Sequence, residues 1–175
     1  SENIGLIRSR VLGAKLALSP YLVFMDAHCN PECNWDTELI KAVKHFGERA
    51  IVVPIIPKLD PDRWVNSRIE VGFSMTFNEK LEMKWCGDKS PNDTYLESPV
   101  FAGCVSLVAK SFYLELQGFD DGLQIWGSEN IDLSLRCWMF GGKVIVVKTS
   151  VVGHMFKSIN AYEDVKELGL LNKLR

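Results

Sequence analysis

Two apolar runs, Tyr21–Met25 and Ile51–Ile56, bracket a segment in which Leu39, Ile40, Val43 and Phe46 recur at helical spacing. A strand with one wet face alternates polar and apolar residues, whereas an unbroken apolar run predicts a strand covered on both faces. Strand, helix and strand of this kind predict a βαβ unit, and with it an α/β fold: a mostly parallel sheet flanked by helices. Asn34 or Asp36 can cap the helix and Gly47 can close it. Before the first run, Ile7, Val11, Ala14 and Leu18 predict another helix, ended by Ser19-Pro20.

The rest of the chain is read the same way. Between Lys58 and Pro99 the prolines and glycines predict turns, short strands around Val71–Phe77, and a mobile loop near 87–98. Val100–Val108 predicts a strand and Ser111–Gln117 a short helix ended by Gly118. Ser128 or Asn130 opens a further helix with Ile131, Leu135, Trp138 and Met139 inward, closed by Gly141-Gly142. Val144–Val147 and Val151–His154 predict two extended pieces, and a helix is expected over 161–168.

Composition narrows the function classes. In 175 residues, 47% are hydrophobic, enough for one domain spanning 1–175 with a real core. The net charge of -2 and the lack of a Lys/Arg run argue against a nucleic-acid partner. No apolar stretch reaches the roughly 20 residues of a membrane helix, and Ser1-Glu2-Asn3 does not open a signal peptide. Five cysteines cannot all pair within one chain, and the Cys29/Cys33 spacing is not that of a zinc knuckle.

Asp26-Ala27-His28 follows a predicted strand, at the sheet edge where α/β proteins bind ligands. If the chain stays extended there, Asp26 and His28 point the same way. His154 also ends a strand-like run, after Gly153. One carboxylate and two imidazoles suit Mn²⁺, Fe²⁺ or Zn²⁺, since Ca²⁺ and Mg²⁺ prefer all-oxygen sites. The third histidine, His45, ends a helix, where it complements the dipole. In Ile125-Trp126-Gly127-Ser128-Glu129-Asn130, a turn feeds a helix whose acidic first turn is either dipole chemistry or the lip of a cleft. On the cleft reading Glu129 or Asn130 stands at the lip and Trp126 is a platform for a flat-faced ligand such as a sugar.

These blocks occur in order with others: Gly5–Ala14, Asp26-Ala27-His28-Cys29, Trp35, Val52–Ile56, Ser98–Gly103, Phe119–Asn130 and Val152–Lys157. Together they resemble the catalytic domain of polypeptide N-acetylgalactosaminyltransferases. The resemblance implies the C-terminal part of a GT-A-like glycosyltransferase core, with the first nucleotide-binding units expected upstream of residue 5 and a lectin domain downstream. It implies transfer with retention of configuration from a UDP-sugar, carrying N-acetylgalactosamine or galactose, to a protein or glycan acceptor, including Ser/Thr of proteins. It assigns Asp26, His28 and His154 to Mn²⁺ or another divalent metal. By the same resemblance Glu129 and Asn130 are the catalytic candidates, and Trp126, Gly103, Lys157 and Arg8 bind substrate. A eukaryotic member would work in the Golgi lumen, a bacterial one in the cytoplasm. Ser128, Asn30 and Lys157 depart from the family pattern, as does Glu70–Met75. A non-catalytic carbohydrate- or partner-binding relative, and an unrelated metal-dependent hydrolase, stay open beside the transferase.

Overall fold

The structure, a computed structural model, describes residues 3–80, 82–156 and 172. In chain order its elements are α1 (Leu6–Leu16), β1 (Tyr21–Met25), β2 (Cys29–Pro31), α2 (Trp35–His45), β3 (Ala50–Asp60), β4 (Val65–Gly72), β5 (Ser74–Phe77), β6 (Met83–Cys86), β7 (Tyr95–Glu97), β8 (Val105–Ala109), α3 (Lys110–Glu115), α4 (Glu129–Met139) and β9 (Lys143–His154). The main sheet has the order β1-β8-β3-β9-β2, with β4 added to β3 and β7 to β9, while β5 and β6 form a separate hairpin.

The expected β–α–β unit is present as β1–α2–β3, with one strand inserted. β8 lies between β1 and β3 and runs antiparallel to both, so the two run the same way. β9 then pairs parallel with β3. β8 is thus a reversed strand inside the sheet, and the other reversed strands, β2, β4 and β7, lie at its periphery. Pro54 and Pro57 lie inside β3, and each coincides with a shift of register, against β9 and against β4. Proline has no N–H to give a ladder, so bulges are where a strand tolerates it.

Helices cover both faces. α2 buries Leu39, Ala42 and Val43 on Ala50, Val52, Leu107, Ile145 and Val147. On the other face Ile7 and Ala14 of α1, Phe112 of α3, and Leu133 and Cys137 of α4 pack on Leu22, Phe24, Ile51, Val53 and Val146. Each fully buried large apolar side chain contributes about 1.5–3 kcal/mol by leaving water, and these two layers fix where the strand ends lie.

Several expectations are corrected. β1 is not buried on both faces: Leu22 and Phe24 are, but Val23 and Met25 stay 42% and 43% exposed. α2 packs on the central strands and reaches β1 at Tyr21 but not at Val23 or Met25, and β1 ends the sheet among the described residues. The strand expected from Val100 begins at Val105, and the two pieces expected over 144–154 are one strand with a bulge after Val147. Neither Asn34 nor Ser128 caps with its side chain; both hold positive φ at the helix starts. The segment near 87–98 is tied down by β7 and by Lys148, whose Nζ reaches Asp88 Oδ2 and the Ser90 carbonyl.

The inward face of α4 also differs. Leu135 is 41% and Met139 82% exposed, whereas Asn130, Ile131, Leu133, Ser134 and Cys137 are buried. Two of these are polar, which hides the face from an apolar-periodicity reading. They are buried because they are bonded: Asn130 Nδ2 donates to Phe101 O at 2.7 Å, Ser134 Oγ donates to Asn130 O, and Phe101 N donates to Ser134 Oγ. The helix expected over 161–168 and Lys157 lie outside the described residues.

Candidate functional site

Asp26 leaves β1 still in register, its N–H donating to Cys104 O at 2.9 Å. The chain does not stay extended. It turns at Ala27-His28 and enters β2, which pairs antiparallel with the end of β9, placing Cys29 opposite His154. Met155 N donates to His28 O, closing this corner. The two histidine rings lie 4.6 Å apart, inclined by 46°. One ligand atom each from Asp26, His28 and His154 falls within 4.8 Å of the others. Sheet pairing, rather than strand alternation, brings the three together.

The residues fit a divalent cation. Among the described residues, both ring nitrogens of His154 are buried without a hydrogen-bond partner. The carboxylate oxygen facing Nε2, Asp26 Oδ2, is 3.5 Å away, too long for a good hydrogen bond. A buried imidazole with idle nitrogens is costly, and a cation among these three side chains would engage it. Burial pushes the Asp26 carboxyl up, but His154, Arg10 and His28 outweigh that and hold it below the usual carboxylate value. It therefore stays ionised and able to ligate.

Arg10 ties this triad to the next layer. Its guanidinium donates to Asp26 Oδ1 and to Gly103 O, both at 2.8 Å, and stands 3.4 Å from Glu129 Oε1. Glu129 is buried; its Oε2 accepts from Gly127 N at 3.0 Å. Burial pushes this carboxyl above the usual glutamate value, with Arg10 pulling against it.

The turn above Glu129 is strained. Ile125 has φ 53, Gly127 φ 100 and Ser128 φ 69. A left-handed β-branched residue costs on the order of 1–3 kcal/mol. Leu6 N donates to Ile125 O, and Gly5 comes so close that a Cβ there would sit 2.9 Å from Ile125 Cα. The turn leaves the Trp126 side open, 42% exposed.

Two aromatic rings flank the triad. Phe156 packs edge-on against His154 at 4.6 Å, and Trp85 of the β5–β6 hairpin meets Phe156 at 6.2 Å. Both are two-fifths exposed. A groove of about 630 Å³ between α1 and β1, lined in part by Ser9, Arg10, Gly13, Met25 and Asp26, opens beside the triad.

Of the residues singled out in the sequence, Asp26, His28 and His154 meet, Gly103 and Glu129 join them through Arg10, and Trp126 sits on the turn next to Glu129. Asn130 is turned inward onto Phe101 O. Arg8 faces elsewhere, its Nε donating to Asp121 O. Arg10, Trp85 and Phe156 were missed. Arg10 was legible: it shares the helical face of Ile7 and Ala14, and a charge on a buried face needs a partner.

Fold and site define an α/β protein that gathers one carboxylate and two imidazoles, a set able to hold a cation, at the end of its sheet. The chain belongs to glycosyl transferase family 2, which it matches over residues 1–111; residues 88–161 match the N-terminal domain of galactosyltransferase. It is 35% identical over 164 residues to the probable N-acetylgalactosaminyltransferase 8 of Caenorhabditis elegans, covering 90% of this chain and 39% of that one. It is 34% identical to the human polypeptide N-acetylgalactosaminyltransferase 16, covering 90% of this chain and 29% of that one. The crystal structure of GalNAc-T7 with UDP, GalNAc and Mn²⁺ superposes with a TM-score of 0.78 at 27% identity, over 90% of this chain and 31% of that one. The chain thus spans about a third of the length of these relatives. No helix among the described residues is long and apolar enough to cross a membrane.

Proposed function

We propose that residues 1–175 form the metal-holding part of a glycosyltransferase that moves N-acetylgalactosamine or galactose from a UDP-sugar to an acceptor, Ser or Thr of a protein. The observation that carries this is the meeting of Asp26, His28 and His154, with both His154 nitrogens idle. A related chain that holds UDP, GalNAc and Mn²⁺ supports it, as do relatives named for polypeptide N-acetylgalactosaminyl transfer.

The arrangement divides the work. Arg10 occupies Asp26 Oδ1 and leaves Oδ2, the oxygen toward His154, for a cation. His28 and His154 complete that donor set. When bound, the divalent metal neutralises charge on the departing diphosphate. The groove between α1 and β1 gives the donor an approach to Asp26. Trp126 offers a flat apolar face for the sugar, and Glu129, held by Gly127 N and Arg10, fixes the turn that carries it. Trp85 and Phe156 form an apolar shelf on the acceptor side, suited to a peptide segment.

The test is transfer by the full-length protein from UDP-GalNAc and from UDP-Gal to a Ser/Thr peptide, with Mn²⁺ or with chelator. Transfer should need Mn²⁺. His154→Ala should lower it by on the order of 10²-fold, the scale of losing one electrostatic stabiliser. Excess Mn²⁺ should restore only part, because occupancy returns without geometry. A protein that binds Mn²⁺ yet transfers neither sugar would be a non-catalytic relative, and the proposal would be wrong.

A further inference from the structure

The strained turn that carries Trp126 is held from far along the chain. Asn172 is buried. Its Oδ1 accepts from Gln124 N at 2.8 Å, and its Nδ2 faces the carbonyls of Gln124 (2.9 Å), Trp126 (3.2 Å) and Gly127 (3.0 Å). An amide with its oxygen on an N–H and its nitrogen among three carbonyls can face only one way. By engaging both the N–H and the C=O of Gln124, the side chain acts as a neighbouring strand would. With Ile125 O accepting from Leu6 N, all four carbonyls from Gln124 to Gly127 face donors, the two N–H groups of Asn172 being shared among three of them. Without such partners the left-handed Ile125 has no reason to persist, since strained backbone survives only where its surroundings over-determine it.

We infer that Asn172 is a positioning residue: its side-chain amide locks the Gln124–Gly127 turn so that Trp126 stays open to the sugar side and Gly127 N stays on Glu129. This rests on the glycosyltransferase reading for its consequence in turnover, but not for its consequence in structure. Asn172 touches none of Asp26, His28 or His154 in any contact described. The turn reaches the triad through Gly127 N, Glu129 and Arg10, so a loosened turn should move Trp126 first and leave the three candidate ligands largely in place.

The experiment compares the full-length protein with Asn172→Asp and Asn172→Ala. Asn172→Asp keeps the shape and the acceptor for Gln124 N while pointing a carboxylate at three carbonyl oxygens. Folded variants should bind Mn²⁺ as the wild type does. The Trp126 indole N–H signal, identified through Trp126→Phe, should shift or broaden. The ratio kcat/KM for the donor should fall by roughly tenfold or more, the scale of a displaced positioning group, with most of the loss in kcat. A folded Asn172→Asp protein with an unmoved Trp126 signal and wild-type kcat/KM would overturn the inference. Should neither variant fold, amide exchange in the wild type decides: Gln124 N–H should be protected, and rapid exchange there would overturn it. If the wild type transfers no sugar, the functional reading fails, while the Trp126 signal and the exchange of Gln124 still decide the role of Asn172.

Discussion

Replacing Arg10 by Met removes the one guanidinium that joins Asp26, Gly103 and Glu129. Methionine fills much of the same space, so the loss is one of charge and hydrogen bonds. The Arg10 side chain is only 10% exposed and that of Glu129 4%, so water cannot take over fully. The part-buried Gly103 carbonyl loses its donor, at the low end of the about 1–3 kcal/mol that leaving a buried group unpaired costs. Breaking a buried ion pair by removing one partner costs about 3–5 kcal/mol. Glu129 can take up a proton instead of staying charged, and this caps the second cost. Arg10→Met should therefore lose on the order of 3 kcal/mol near neutral pH without metal. The sign of the pH dependence follows from Glu129. Its folded pKa is raised above the ordinary 4.5, so the folded state favours the protonated form. Stability from this group is present near and below that value and is lost as pH rises through the raised one. Removing Arg10 strengthens the effect. The penalty should thus be larger near neutral pH than near 4.5, and Glu129→Gln in the same protein should flatten the dependence. Denaturant unfolding of metal-free protein across that range is the assay. A penalty below about 0.5 kcal/mol at neutral pH, the level of ordinary surface changes, or one that does not vary with pH, would mean that Arg10 does not hold Glu129 and Gly103 in this way.

Two other outcomes are expected. Gly153→Ala should destabilise the protein by about 1–3 kcal/mol, the usual cost of overpacking, because a Cβ there would stand 1.8 Å from Asn66 Oδ1; melting checks this, and weaker Mn²⁺ binding should accompany it because His154 is the next residue. Timed alkylation read by mass spectrometry should label exposed Cys33 first, while burial pushes the Cys29 thiol up to about 11 and that of Cys137 up to about 12; early labelling of Cys29 would contradict the packing around β2.

Elements with a clean period were legible in the sequence. α1, β1, α2 and β3 lie where apolar spacing puts them, and Asp26, His28 and His154 stand at strand ends as read. What was not legible depends on partners distant in sequence. The exposure of Val23 and Met25 follows from how far α2 reaches across the sheet, which no local pattern shows. The buried face of α4 includes Asn130 and Ser134, whose burial makes sense only with Phe101 beside them. A bulge merges two apolar pieces into β9 because Pro54 interrupts the ladder opposite. The resemblance points to Arg8, whereas helical spacing puts Arg10 on the face of Ile7 and Ala14. The hold of Asn172 on the 124–127 turn spans 48 residues to Gln124 and leaves no mark in local sequence.

Asp26, His28 and His154 should form one divalent-cation site, and Mn²⁺ binding tests this without reference to turnover. Paramagnetic resonance or calorimetry on the metal-free full-length protein, on Asp26→Asn and on His154→Ala gives the affinity directly. The wild type should bind Mn²⁺ and each variant should lose at least about tenfold in affinity, with metal-free His154→Ala still unfolding cooperatively. Equal Mn²⁺ affinity in the wild type and in His154→Ala would contradict a shared site.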